Sequence, residues 1–146
     1  MVSELRALQD AFVEAVNAHN VAKIGEKMAE DVTYWEANMS QPIKGRKAVE
    51  NHYRGNFTSF PDASIKFTTT VEGGDRIASE GMWTATNKGP LTIPGQPPIP
   101  ATGKRAEGKF ASVARVEKGK IKELNLYYDN LQFLAQLGLM APPGSK

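Results

Sequence analysis

Apolar residues recur along this chain with two periods, and the change from one to the other divides it. Leu5, Leu8, Phe12 and Val16 return every three or four positions while Glu4, Arg6, Asp10 and Glu14 fall between them. That spacing predicts a helix with one buried face, and Ser3 stands where a side-chain oxygen can cap its first turn. After Ala18-His19, Asn20 can cap a second helix whose stripe is Val21, Ile24 and Met28. Residues 32–36, VTYWE, are β-branched and aromatic and predict a strand, followed by a loop over residues 38–45 that contains Pro42. Glu36 therefore sits near a strand end. Val49, Tyr53, Phe57 and Phe60 restore the helical period until Pro61-Asp62 ends it.

From residue 65 the period becomes two. Ile65, Phe67, Thr69 and Val71 alternate, Gly73-Gly74-Asp75 reads as a turn, and residues 76–86 form a long partner strand. In that partner Ile77, Ser79, Gly81, Trp83 and Ala85 share one face, and Ala78, Glu80, Met82 and Thr84 the other. Residues 89–103, GPLTIPGQPPIPATG, cannot be a central strand because prolines lack the ladder N–H; they predict an ordered flap or crossover. Residues 104–138 read as two strands joined at Glu117-Lys118-Gly119-Lys120, with a short closing helix after Tyr128-Asp129. The last strand places Leu124, Leu126 and Tyr128 on one face and Glu123, Asn125, Tyr127 and Asp129 on the other. One-sided helices and alternating strands are all satisfied by an α+β domain in which an antiparallel sheet curls around helices packed on its concave side. A single domain is expected over residues 1–140, with a flexible tail, APPGSK, over 141–146.

Composition narrows what such a domain can do. At 146 residues and 40% hydrophobic the chain can build one substantial core. Its net charge of +2 comes from 18 basic and 16 acidic residues mixed along the chain, which gives no basic block for nucleic acid. The basic hairpin residues Lys104, Arg105, Lys109, Arg115, Lys118, Lys120 and Lys122 read as a solvated strand face, with no aromatic stacking platform among them. The absence of cysteine excludes a disulfide framework, a thiol nucleophile and a thiolate metal site, and is compatible with a cytoplasmic location. No stretch has the form of a secretion signal or approaches the roughly 20 apolar residues of a membrane span. His19 and His52 are isolated, with no carboxylate at ligand spacing, so no metal is expected and both read as structural or surface residues. No glycine loop for a phosphate and no nucleophile elbow is present, and no cofactor is expected.

Two groups could carry chemistry. Strand parity puts Tyr34 and Glu36 on one face, so if Tyr34 lines a cavity Glu36 does too. Tyr128, on the face of Leu124 and Leu126, is either a core tyrosine bonded to the backbone or a phenol that donates to a ligand oxygen. Trp83, Phe110, Tyr53, Phe57 and Met39 are candidate walls or core, and together imply a hydrophobic ligand. Asp129 stands where it can cap or orient the closing helix, the alternative being a catalytic acid.

Three stretches, FVEAVNAHNVAKIGEKMAEDVTYWE, PIPATGKRAEG and GKIKELNLYYDNLQFLAQLG, resemble the SnoaL-like polyketide cyclases, within the nuclear transport factor 2-like superfamily that also holds ketosteroid isomerase. The resemblance implies a cone-shaped roll, with three helices from the N-terminal half packed on a strongly curved antiparallel sheet and a short C-terminal helix. It also implies a deep apolar pocket and a homodimer through the outer sheet face. The cyclases' acid/base Asp on the last strand falls on Leu126, and its partner His on Ser112. The isomerase's general-base Asp falls on Glu36, its oxyanion-stabilising Tyr on Phe12, and its acidic donor near Ser112. The expected function is general acid/base proton transfer on an apolar, carbonyl-bearing small molecule, of isomerase, cyclase or hydratase type. Glu36 would be the base, with Tyr128, Ser112 and Asn38 as hydrogen-bonding groups. Tyr34, Asn38, Met39, Tyr53, Phe57, Trp83, Phe110, Leu124 and Leu126 would contact the ligand. The alternative is a non-catalytic hydrophobic-ligand-binding or dimerisation module, because Leu126 and Ser112 occupy the cyclase acid/base positions.

Overall fold

The computed structural model describes residues 2–92 and 96–140; the tail expected over 141–146 lies outside them. Helix α1 (Glu4–Asn17) is capped by Ser3, whose side chain accepts from the Arg6 N–H, and α2 (Val21–Glu26) by Asn20, which accepts from Lys23 N–H. Met28 is not the end of the second helical stripe: the helix stops at Glu26, and Met28 opens strand β1 (Met28–Glu36), fully buried. The segment after β1 contains a two-residue strand, β2 (Ile43–Lys44), before α3 (Arg46–Ser59). Strands β3 (Ser64–Gly73), β4 (Arg76–Thr86), β5 (Arg105–Glu117) and β6 (Lys120–Tyr128) follow, and α4 (Asn130–Gln136) closes the chain.

One curved, unclosed six-stranded sheet has the order β2-β1-β6-β5-β4-β3. It is antiparallel except where β1 runs parallel to β6, pairing Tyr34 with Leu124 and Glu36 with Leu126. That parallel pair corrects the all-antiparallel expectation. Residue patterns define which face of a strand is buried but do not identify its neighbour, and here the last strand returns beside the first. The β5–β6 turn places Lys118 (φ 54°) and Gly119 (φ 76°) in the left-handed region, as a two-residue hairpin requires.

A second correction lies in β3. Its pairing with β4 slips between Phe67 and Thr69, so the extra residue reverses strand parity beyond it. Val71 consequently faces outward at 62% exposure, and Thr70 points inward to bond Ser79. Opposite the slip, Gly81 lies so close to the Lys66 carbonyl that a Cβ would collide with it.

Helices α1, α2 and α3 cover the concave face. The main core joins Phe12, Val16, Ile24, Met28, Val32, Tyr34, Val49, Tyr53, Ile77, Ile121 and Leu124, and a smaller cluster joins Phe60, Ala85, Ala106 and Leu137 near α4. Asp129 caps α4 by accepting from Gln132 N–H. Gln136 fastens the helix to β5, accepting from Glu107 N–H and donating to its carbonyl. Asp129→Ala should cost about 1 kcal/mol of stability, read as a lower urea midpoint at unchanged m-value. No helix among the described residues is long and apolar enough to cross a membrane.

Candidate functional site

Helix α1 covers only one end of the concave face. There Leu5, Leu8 and Phe12 lie over Ile77, Ile121 and Leu124 with almost no space between them. Beyond that end the sheet, α3 and α4 stand apart and enclose a cavity of about 550 Å³, a size suited to a drug-sized molecule. Its walls are mainly aromatic and aliphatic: Phe12, Val16, Phe57, Ile65, Phe67, Trp83, Phe110, Leu126 and Phe133. Trp83 and Phe133 meet edge to face at 5.1 Å, and Phe67 and Phe110 tilt together at 5.3 Å.

The ionisable groups Glu36 and His52 meet where β1 ends. Glu36 is the sole carboxylate and His52 the sole imidazole among the described lining residues, which include no lysine or arginine. The Tyr34 hydroxyl donates to Glu36 Oε2 at 2.7 Å, and His52 Nε2 lies 3.4 Å from Glu36 Oε1. Both side chains are largely shielded, Glu36 at 13% and His52 at 25% exposure. The His52 contact falls short of hydrogen-bond geometry, and Nε2 is buried without a hydrogen-bond partner in the protein. An unpaired buried donor or acceptor is costly, so a polar atom beside Glu36 Oε1 would relieve it. Backbone geometry holds Glu36 in place: its carbonyl accepts from Met39 N–H at 2.9 Å, closing the turn that ends β1.

Three tyrosines surround this carboxylate. Burial pushes the Tyr34 phenol well above its ordinary range, and the Glu36 charge adds to that. Tyr53 is raised by burial, with the Tyr34 hydroxyl working against the shift and the Glu36 charge reinforcing it. Tyr128 is raised by burial and then by Glu36, with the Asn38 backbone N–H pulling the other way. All three phenols therefore remain protonated donors across the ordinary working pH range.

The structure brings Glu36, Tyr128, Ser112, Tyr34, Asn38, Tyr53, Phe57, Trp83, Phe110 and Leu126 to this one cavity. It does not bring Leu124 or Met39. Leu124 has the correct strand face but lies at the end filled by α1, 2% exposed. Met39 packs its side chain against the main core while its carbonyl accepts from the Trp35 indole at 2.9 Å. His19, by contrast, donates from Nε2 to the Ala63 carbonyl at 2.7 Å and stacks on Phe57 outside the polar cluster. Sequence reasoning missed His52. Its signal was the helical offset from Val49: three residues on, His52 shares the inner side of α3, as does Asn56 four residues further.

Comparison with known proteins gives the same architecture. A SnoaL-like protein from Jannaschia sp. CCS1 superposes with a TM-score of 0.80 at 16% identity, covering 96% of this chain and 94% of the other. TsrD from Streptomyces laurentii gives 0.79 at 19% identity, with 96% and 100% covered. A protein of ketosteroid isomerase-like fold from Catenulispora acidiphila DSM 44928, in complex with trimethylamine, gives 0.76 at 21% identity, with 92% and 94% covered. At these identities the likeness is one of fold. No curated protein sequence matches the chain. The family model for the SnoaL-like polyketide cyclases matches residues 6–137, from the first turn of α1 to the end of α4, so the chain belongs to that family.

Proposed function

We propose that the cavity is a reaction site in which Glu36 transfers a proton on a neutral, apolar, carbonyl-bearing small molecule. The observation that carries this reading is the placement of Glu36. It is the sole carboxylate among the described residues of a largely apolar cavity, with one oxygen occupied by Tyr34 at 2.7 Å and the other turned to His52. A fixed carboxylate in an apolar chamber has the geometry of a general base. Glu36 Oε1 takes a proton from the carbon next to the ligand carbonyl, and the electron pair moves onto the carbonyl oxygen. Tyr128, held as a neutral phenol, donates to that oxygen, and Ser112 and Asn38 also line the cavity. Return of the proton to a different carbon completes an isomerisation; attack of the enolate carbon on a second carbonyl, whose oxygen takes the proton back from Glu36, completes a cyclisation. The lack of lysine and arginine among the described lining residues favours an uncharged substrate over a carboxylate or phosphate.

A second reading is favoured by Leu126 and Ser112, which line the cavity at the positions where the cyclases carry their acid/base pair. On that reading the cavity binds a hydrophobic molecule and transforms nothing. A panel of β,γ-unsaturated ketones and polyketide-like esters separates the two: turnover of any member supports proton transfer, and binding without turnover of any supports the module. Within the catalytic reading, His52→Gln should lower kcat roughly tenfold with KM nearly unchanged, because the imidazole limits where the carboxylate can swing.

A further inference from the structure

At the polar corner of the cavity two acceptor atoms face each other. The Tyr34 hydroxyl occupies Glu36 Oε2 at 2.7 Å, which leaves Oε1, 3.4 Å from His52 Nε2. Nε2 is buried and makes no hydrogen bond within the protein. Because that contact falls short of hydrogen-bond geometry, a proton on Nε2 would not be aimed at the carboxylate. With the ring proton on Nδ1 the imidazole is neutral, and Nε2 presents a lone pair beside Oε1. Two buried acceptors at one point are relieved by a ligand that brings two donors to that point. Charge and wall chemistry decide what kind of donor it is. Glu36 is the sole carboxylate among the described lining residues, which hold no lysine or arginine. A shielded carboxylate without a counter-charge is costly, and a hydroxyl ligand supplies donors but no charge. All six phenylalanines of the chain line the cavity, together with Trp83. Aromatic rings attract a cation in a way that aliphatic walls do not. The rings of Tyr34 and Tyr53 lie 5.2 and 5.8 Å from the His52 ring, so aromatic groups flank the acceptor pair itself.

We infer that the cavity binds a protonated secondary amine with two apolar arms: one N–H donates to Glu36 Oε1, the other to His52 Nε2, and the arms lie against the aromatic wall. A secondary ammonium has as many N–H groups as there are acceptors to satisfy, a tertiary one has one fewer, and a quaternary one has none. The inference rests on the reading of the cavity as a ligand site and goes beyond the proposed reaction. An amine on Oε1 occupies the atom that would take the substrate proton, so it acts as an inhibitor of proton transfer and is not itself a substrate.

The test uses the full chain and three probes of nearly the same shape, titrated by calorimetry at neutral pH: dibenzylamine as its cation, dibenzyl ether, and the N,N-dimethyldibenzylammonium ion. The wild type should bind the secondary amine about 30-fold more tightly than the neutral ether. The quaternary ion keeps the charge and has no N–H, and should bind about tenfold more weakly than the secondary amine. Glu36→Gln should bring the amine down to the affinity of the ether while the ether stays within about twofold of its wild-type value, which also shows that the variant folds. His52→Phe keeps a planar ring, removes the second acceptor and should weaken the amine about fivefold without weakening the ether. Equal wild-type binding of amine and ether would overturn the inference and leave the cavity standing as a ligand site. So would an amine preference that survives Glu36→Gln, or a quaternary ion bound as tightly as the secondary amine. If the wild type binds none of the three, the ligand site itself falls and the amine with it.

Discussion

Glu36→Gln should reduce kcat for any β,γ-unsaturated ketone that the wild type isomerises by about 100-fold or more, while KM changes by less than about threefold. The substitution keeps the shape of the side chain and its ability to accept from the Tyr34 hydroxyl, which donates to Glu36 Oε2 at 2.7 Å. It removes only the group that can take a proton. No other carboxylate lines the cavity among the described residues. Glu36→Asp should retain part of the activity, because it keeps a base and shortens its reach by one methylene. Steady-state kinetics on purified variants, with denaturation curves to confirm that they fold, would measure both. A loss confined to KM would assign Glu36 to binding.

Alkaline pH should unfold the protein more steeply than an ordinary surface titration would. Tyr34, Tyr53 and Tyr128 are all raised above the usual tyrosine range, chiefly by burial. In the unfolded chain each phenol loses its proton near pH ~10, whereas in the folded protein it keeps it. Above that pH the unfolded state binds fewer protons than the native state, so stability falls as pH rises. Stability from these groups is thus fully present below pH ~10 and is lost on the way up toward their folded values. Each group contributes about 1.4 kcal/mol per pH unit, so three give a slope of roughly 4 kcal/mol per pH unit against a total of only about 5–15 kcal/mol. Urea denaturation at a series of alkaline pH values measures the slope directly. Each of Tyr34→Phe, Tyr53→Phe and Tyr128→Phe should lower it by about a third. Phenolate absorbance from three tyrosine equivalents should appear together with the loss of secondary structure. A flat stability profile, or phenolate formation in the folded protein, would show that these phenols are not held in the dry surroundings described.

Much of this arrangement is legible in the residues. Ser3, Asn20 and Asp129 are recognisable caps because their side-chain oxygens precede helical stripes, and all three accept from the first turn of their helices. Lys118-Gly119 marks the hairpin, and the parity of β6 separates Leu126 and Tyr128 from Tyr127, which stands outside at 47% exposure against Trp35. What the residues do not display is anything set by distant neighbours. The slip in β3 has no composition signal, because threonine at 68, 69 and 70 fits either face, and only the pairing with β4 reverses Val71. Strand parity assigns Leu124 and Leu126 to the same face, yet α1 fills the space over one and leaves the other open. His52 reads as structural or surface because it falls at the edge of the apolar stripe of Val49, Tyr53, Phe57 and Phe60. A helix buries an arc wide enough to include the neighbouring row, and that row holds the imidazole that faces Glu36.

The most direct measurement of the central claim is solvent deuterium incorporation next to the carbonyl of 1-tetralone, followed by proton NMR with wild type and Glu36→Gln under conditions where both bind the ketone. The account predicts that the wild type accelerates exchange at that carbon and that the variant returns it to the rate in buffer. Exchange at the buffer rate with the wild type, or equal acceleration by the variant, would contradict Glu36 as the base.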